Sequence, residues 1–85
     1  MKVREEFYLS HENGQNIVES RLENFNNSII LGNTAAMLFE YAKTKDLSRN
    51  DMLKFLLENT DISTVLALSD LNVFIKLMKE NDILE

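Results

Sequence analysis

The chain contains few side chains that could take part in catalysis. His11 is its single histidine and it has no cysteine, so an activated nucleophile and a zinc site of several thiolates or imidazoles both lack their essential residues. His11 lies beside Glu12 and the turn-forming dipeptide Asn13-Gly14, in a stretch that we predict to be a loop. We therefore expect His11 to be a surface residue without a catalytic function.

The acidic residues do not form a pattern typical of an acid–base or metal site. They are scattered along the chain, and most occupy positions expected for helix caps and solvated faces. No calcium loop of the D-x-D-x-D-G type occurs, and two glycines, Gly14 and Gly32, cannot make a glycine-rich phosphate loop. The sequence predicts no enzyme, no cofactor, no bound metal and no small-molecule substrate.

Net charge and composition restrict the possible partners. The formal net charge is −5, which opposes sequence-independent binding to nucleic-acid phosphates. No apolar run is long enough for a membrane span, and the start MKVREEFYLS lacks the apolar core of a signal peptide. With no cysteine to pair, we expect a cytoplasmic protein. The abundance of Asn, Lys, Ile and Leu without Pro or Trp is typical of AT-rich bacteria and their mobile elements.

The first of two central helices is predicted to begin after Asn33, a suitable N-cap, and to continue to Lys45. Ala35, Leu38 and Ala42 recur at the spacing of one helical face.

The second central helix has a stronger start signal. Ser48 and Asp51 match the [ST]-x-x-[DE] capping box, and Asn59 suits the helix end. The short connection predicts that the two helices pack as an antiparallel hairpin over residues 33–59.

The flanking segments are predicted to be mainly helical as well. From Gln15 onward, four apolar residues recur at spacings of four, three and four, which favours a helix ending around residues 26–28 or at Gly32, although residues 29–31 could instead be extended. After a short turn capped by Thr60 and Asp61, Ser69 and Asp70 are predicted to open the final helix, and the tail 82–85 to fray. The four apolar residues of the helix predicted from Gln15 are Val18, Leu22, Phe25 and Ile29.

These patterns predict an all-α fold: a compact bundle of four or five short helices around the antiparallel hairpin. We expect a single domain over residues 1–85. Residues 1–14 would form an N-terminal strand or loop, since residues 2–9 alternate only weakly, and residues 15–85 would form the bundle.

The helices carry more apolar surface than a small bundle needs to bury. The apolar arcs of the last two helices cover roughly 200°, whereas a surface helix needs little more than about 100°. The excess predicts an interface, and we expect a homodimer that acts through protein contacts as a small regulatory, adaptor or inhibitor protein. The candidate interface residues are Leu53, Leu57, Val73 and Leu77.

An alternative interpretation is a dimeric DNA-binding regulator. A short strand followed by two helices resembles the order of elements in ribbon-helix-helix repressors. In one alignment residues 2–9 are the ribbon; in the other, residues 28–31 are the ribbon and residues 38–58 are the helix pair. The resemblance implies that cations of the ribbon and helices contact DNA. These candidate DNA-contacting residues are Lys2, Arg4, Lys43, Lys45 and Arg49.

Overall fold

The computed structural model of the chain describes residues 1–22, 25 and 27–85 and shows an α+β fold. Within those residues, strands β1 (Phe7–Glu12), β2 (Gln15–Ser20) and β3 (Ile29–Leu31) form an antiparallel sheet in the order β1-β2-β3. Helices α1 (Asn33–Thr44), α2 (Arg49–Asn59) and α3 (Thr64–Glu80) follow. The prediction of an all-α bundle is therefore wrong, because the described residues before Asn33 include a three-stranded sheet.

A tight hairpin joins the first two strands at Asn13-Gly14. Both residues have positive φ, 52° and 77°, and Glu12 pairs directly with Gln15. A two-residue turn with two left-handed positions matches the right-handed twist of the strands, and Asn-Gly is the dipeptide that adopts it most readily. The loop predicted here is thus a hairpin turn, and the helix predicted from Gln15 is wrong.

The apolar stripe that predicted this helix has a different physical origin. Val18 and Ile29 lie opposite each other in the β2–β3 pair and both are buried, so their spacing reflects two strands that face one core. Leu22 is 54% exposed, which excludes it from the core. Residues 23, 24 and 26 of the predicted helix lie outside the described residues.

The two central helices lie where the sequence predicted them. The capping box of α2 is confirmed: the Asp51 amide donates to Ser48 Oγ at 3.0 Å and the Ser48 amide donates to the Asp51 carboxylate at 2.9 Å. These hydrogen bonds hold the pKa of Asp51 below its ordinary value. In α1 the N-cap is Gly32, not Asn33, and it supplies no side chain to the helix.

The last predicted helix begins too late in the sequence. Ser63 caps α3 by accepting from the Leu66 amide at 3.3 Å, and Ser69-Asp70 lies inside the helix on exposed positions. The first turns of α3 pack onto the core through Ala67, which is fully buried.

Both ends of the described chain are tied to the core. Val3 pairs with Leu84 in an isolated bridge, and the Arg4 amide donates to the carbonyl of Ile83 at 2.9 Å. Val3, Ile83 and Leu84 are buried, so the tail predicted to fray is wrong. The core lies between the sheet and the helices, and its largest fully buried side chains include Leu38, Phe39, Leu47, Met52, Leu56, Leu71 and Met78.

Candidate functional site

A groove with a volume of about 370 Å³ opens between β3, the start of α1 and one side of α3. Its lining is mainly apolar, and Asp70 is the single charged residue in it. The lining residues are Ile30, Leu31, Gly32, Asn33, Thr34, Ala35, Leu38, Asp70, Val73, Phe74 and Leu77.

The β3 side of the groove is an open strand edge. The Arg21 amide donates to the Glu6 carbonyl at 2.9 Å. Hydrogen-bonded and non-bonded residue pairs alternate along an antiparallel ladder. This one bond therefore identifies which residues of β2 hydrogen-bond to β1. By the same alternation, Val18 bonds to Ile29 while Ile17 and Ile30 form a non-bonded pair. The amide and carbonyl of Ile30 therefore point away from the sheet, and no strand of the described chain pairs with them.

The α3 side of the groove results from the width of the apolar arc on that helix. Leu71, Phe74 and Met78 are buried in the core. Val73 and Leu77 lie at the margin of this buried face, and Val73 remains 64% exposed. Exposed apolar surface therefore remains at this margin, and it borders the open strand edge.

The first turn of α1 closes one end of the groove. No side chain caps this helix, so its first amides are available to an acceptor of a ligand. Asn16 fixes the adjoining strand by donating from Nδ2 to the carbonyl of Leu31 at 3.1 Å. The groove thus offers backbone donors and an apolar surface side by side.

The four predicted interface residues do not form one surface around this groove. Val73 and Leu77 line it. Leu53 and Leu57 belong to α2 and do not line it; Leu53 is half-buried and Leu57 is 40% exposed. Ile30 and Asp70 were missed as site residues, although the apolar triplet before Gly32 was a signal for a short strand.

Three of the predicted DNA-contacting cations have partners within the protein. Lys43 Nζ donates to the carbonyl of Phe7 at 2.6 Å, Lys45 Nζ lies 5.1 Å from the ring centroid of Tyr41, and Arg49 hydrogen-bonds Asn72. Lys45 and Arg49 remain exposed, whereas Lys43 is half-buried.

The other two predicted cations lie in the N-terminal segment that pairs with the chain end. Lys2 is half-buried. Arg4 is exposed, and it lines a separate depression that also contains Asp82. The predicted ribbon of residues 2–9 is largely outside the sheet, whose first strand begins at Phe7.

The described residues show neither a metal-binding cluster nor a membrane-spanning helix. No three His, Asp or Glu side chains among them are arranged to hold a metal ion. None of the helices in the described ranges combines the length and the apolar character needed to cross a bilayer.

Comparisons with protein-family models, with curated proteins and with solved structures give no match to this chain. The function must therefore be argued from the groove itself.

Proposed function

We propose that the protein is an interaction module that binds an extended peptide segment of another protein in the groove beside β3. The observation that supports this proposal is the juxtaposition of the unpaired edge of Ile30 with an apolar groove floor. This is a more specific form of the protein-contact function predicted from the sequence.

The strand edge determines the conformation of the ligand. An exposed amide and carbonyl on a sheet edge are best satisfied by the backbone of another strand, as in the β-augmentation mode of peptide recognition. The segment would hydrogen-bond to Ile30 and continue toward the first-turn amides of α1.

The groove lining determines the preferred side chains. Alternate residues of a bound strand point to opposite sides, so every second side chain would enter the space between Leu31, Val73 and Leu77. Asp70 and the net charge of −5 disfavour acidic residues there. The preferred ligand therefore carries apolar residues at positions i and i+2 and has a neutral or positive charge.

The size of the groove limits how much of the peptide is recognised. A volume of about 370 Å³ lies near the lower end of the roughly 300–1,000 Å³ typical of ligand pockets. It accommodates one or two apolar side chains. The backbone hydrogen bonds to Ile30 would add contact that is independent of the ligand's sequence.

Selection from a displayed library of random linear peptides tests this proposal. We expect enrichment of apolar residues two positions apart and depletion of Asp and Glu. Amide chemical shifts of Ile30, Leu31 and Asn33 should then move on titration with a selected peptide, together with those of Val73 and Leu77. No enrichment, or shifts confined to another surface, would overturn the proposal.

DNA binding is the weaker alternative for this chain. The net negative charge reduces the attraction to phosphates. An electrophoretic shift with the region upstream of its own gene, at physiological salt, would favour it over peptide binding. For the peptide-binding function we propose a cytoplasmic location, which suits a chain without cysteine.

A further inference from the structure

We propose that a second copy of this chain pairs antiparallel with β1, with Ser10 on the two-fold axis. The two sheets would join into one continuous sheet of six strands. This surface is the sheet edge opposite the groove at β3, so the inference does not depend on peptide binding.

The hydrogen bonds of β1 leave only part of its edge available. Tyr8 and Ser10 bond to β2, by the alternation that the Arg21–Glu6 bond establishes. The outward groups of Phe7 are already occupied, because its carbonyl accepts from Lys43 Nζ at 2.6 Å and its amide donates to the Arg4 carbonyl at 3.1 Å. Leu9 and His11 remain, with no pairing strand among the described residues.

Only one antiparallel register of two β1 strands forms its hydrogen bonds through Leu9 and His11 alone. With Ser10 on the axis, Leu9 bonds to His11 of the partner subunit, and His11 bonds to the partner's Leu9. A two-fold axis at Leu9 would require a hydrogen bond to the carbonyl of Phe7, which is already occupied. It would also place Glu12 opposite the partner's Glu6, and like charges directly opposite each other are unfavourable. Centring on His11 would place Leu9 opposite Asn13 of the hairpin turn.

The hydroxyl of Ser10 would gain a hydrogen-bond partner in this dimer. Its Oγ is buried and has no hydrogen-bond partner in the described part of the chain, and a buried hydroxyl without a partner costs free energy. On the axis, Ser10 would face the partner's Ser10 in a non-bonded pair, whose side chains approach closely. A rotation about χ1 lets one hydroxyl donate to the other.

An apolar hollow of about 480 Å³ lies next to this edge, on the side of the helices. Phe7 faces the core, and Leu9 and His11 lie on the same side of the strand because side chains alternate. In the dimer, the Leu9 and His11 side chains of the added strand would therefore enter the hollow. There they would cover the stacked rings of Tyr41 and Phe55, whose centroids are 4.3 Å apart. The hollow is lined by Leu9, His11, Ala36, Met37, Glu40, Tyr41 and Phe55.

The size of the contact implies a weak dimer. A standard stable interface buries about 800 Å² on each partner, a large part of the 5414 Å² surface of this chain. One short strand edge and one hollow provide less than that. We therefore expect a dimer that forms reversibly as the protein concentration rises from micromolar to millimolar.

Cysteine cross-linking tests both the dimer and its register, since the natural chain has no cysteine. In Ser10→Cys the two Cα atoms would be about 4.5 Å apart, which suits a disulfide. Glu12→Cys is the matched control. Position 12 of one subunit and position 12 of the other would be offset by four residues, or about 13 Å along the strand. Mild oxidation should cross-link the first variant at least tenfold faster than the second.

Sedimentation velocity of the unmodified protein completes the test. A concentration-dependent dimer together with selective cross-linking at position 10 supports the proposal. A protein that stays monomeric at millimolar concentration overturns it, and so does a dimer in which both cysteine variants cross-link equally. Ser10→Lys should shift the equilibrium to monomer at least tenfold because it opposes two ammonium groups, whereas Gln15→Lys on β2 should not.

Discussion

Replacing Val73 by aspartate should weaken peptide binding at the groove without unfolding the protein. Val73 is 64% exposed, so a ligand can cover roughly 80 Å² of its surface, worth about 2 kcal/mol at about 25 cal/mol per Å². That free energy corresponds to a Kd weakened by roughly thirtyfold. The carboxylate would also stand one helical turn from Asp70, which costs the helix only about 0.2–0.5 kcal/mol.

Val65→Asp is the matched control for this experiment. Val65 lies in the same helix and is 76% exposed, but it does not line the groove. Fluorescence anisotropy with a labelled library-selected peptide should show loss of binding in Val73→Asp alone, while thermal unfolding of the two variants remains similar. The reasoning would be refuted if Val73→Asp bound the peptide as tightly as the unmodified protein, or if both variants lost affinity equally.

Two predictions concern stability. Phe39→Ala or Leu56→Ala should each lower the free energy of unfolding by about 2–5 kcal/mol, because both side chains are fully buried and truncation leaves a cavity. Urea unfolding measures this change. An unchanged unfolding midpoint would contradict the assigned core. Asp51→Asn should destabilise the protein at neutral pH. Because the folded-state pKa of Asp51 is lowered by its hydrogen bonds to Ser48, the stability contributed by its carboxylate is present above its ordinary value of 3.8 and is lost as the pH falls through the lowered value. The melting temperatures of the variant and the unmodified protein should therefore converge in acid, and a constant difference between them would count against this explanation.

The helical half of the fold was accessible from the sequence because its signals are local. The capping box of Ser48 and Asp51 spans four residues and specifies a helix start without help from the rest of the chain. The face that contains Leu38 and Ala42 likewise depends only on helical spacing, and both residues are buried in α1.

The sheet was missed because its pattern depends on contacts between segments. Asn13-Gly14 was a correct turn signal, but β2 does not alternate: Val18 faces the core, and Ile17 on the other face lies opposite Ile30. The eleven positions between Val18 and Ile29 also equal about three helical turns. A cross-strand pair therefore had the spacing of one helical face.

The groove could be predicted only in part. Val73 and Leu77 were identified as surplus apolar surface, which periodicity within one helix can show. Their neighbour Ile30 could not be identified, because its outward backbone follows from the pairing of β3 with β2. The start of α3 was also placed too late, since the burial of Ala67 depends on tertiary packing.

The bridge between Val3 and Leu84 has a consequence for how the protein is made. These residues are 81 positions apart in the sequence, and closing so long a loop is entropically costly before other contacts form. On the ribosome, Val3 therefore has no bridge partner until Leu84 has been synthesised. The hairpin of β1 and β2 needs no such delay, so we expect the nascent chain to form this turn early and to complete its core only after Leu84 has been added.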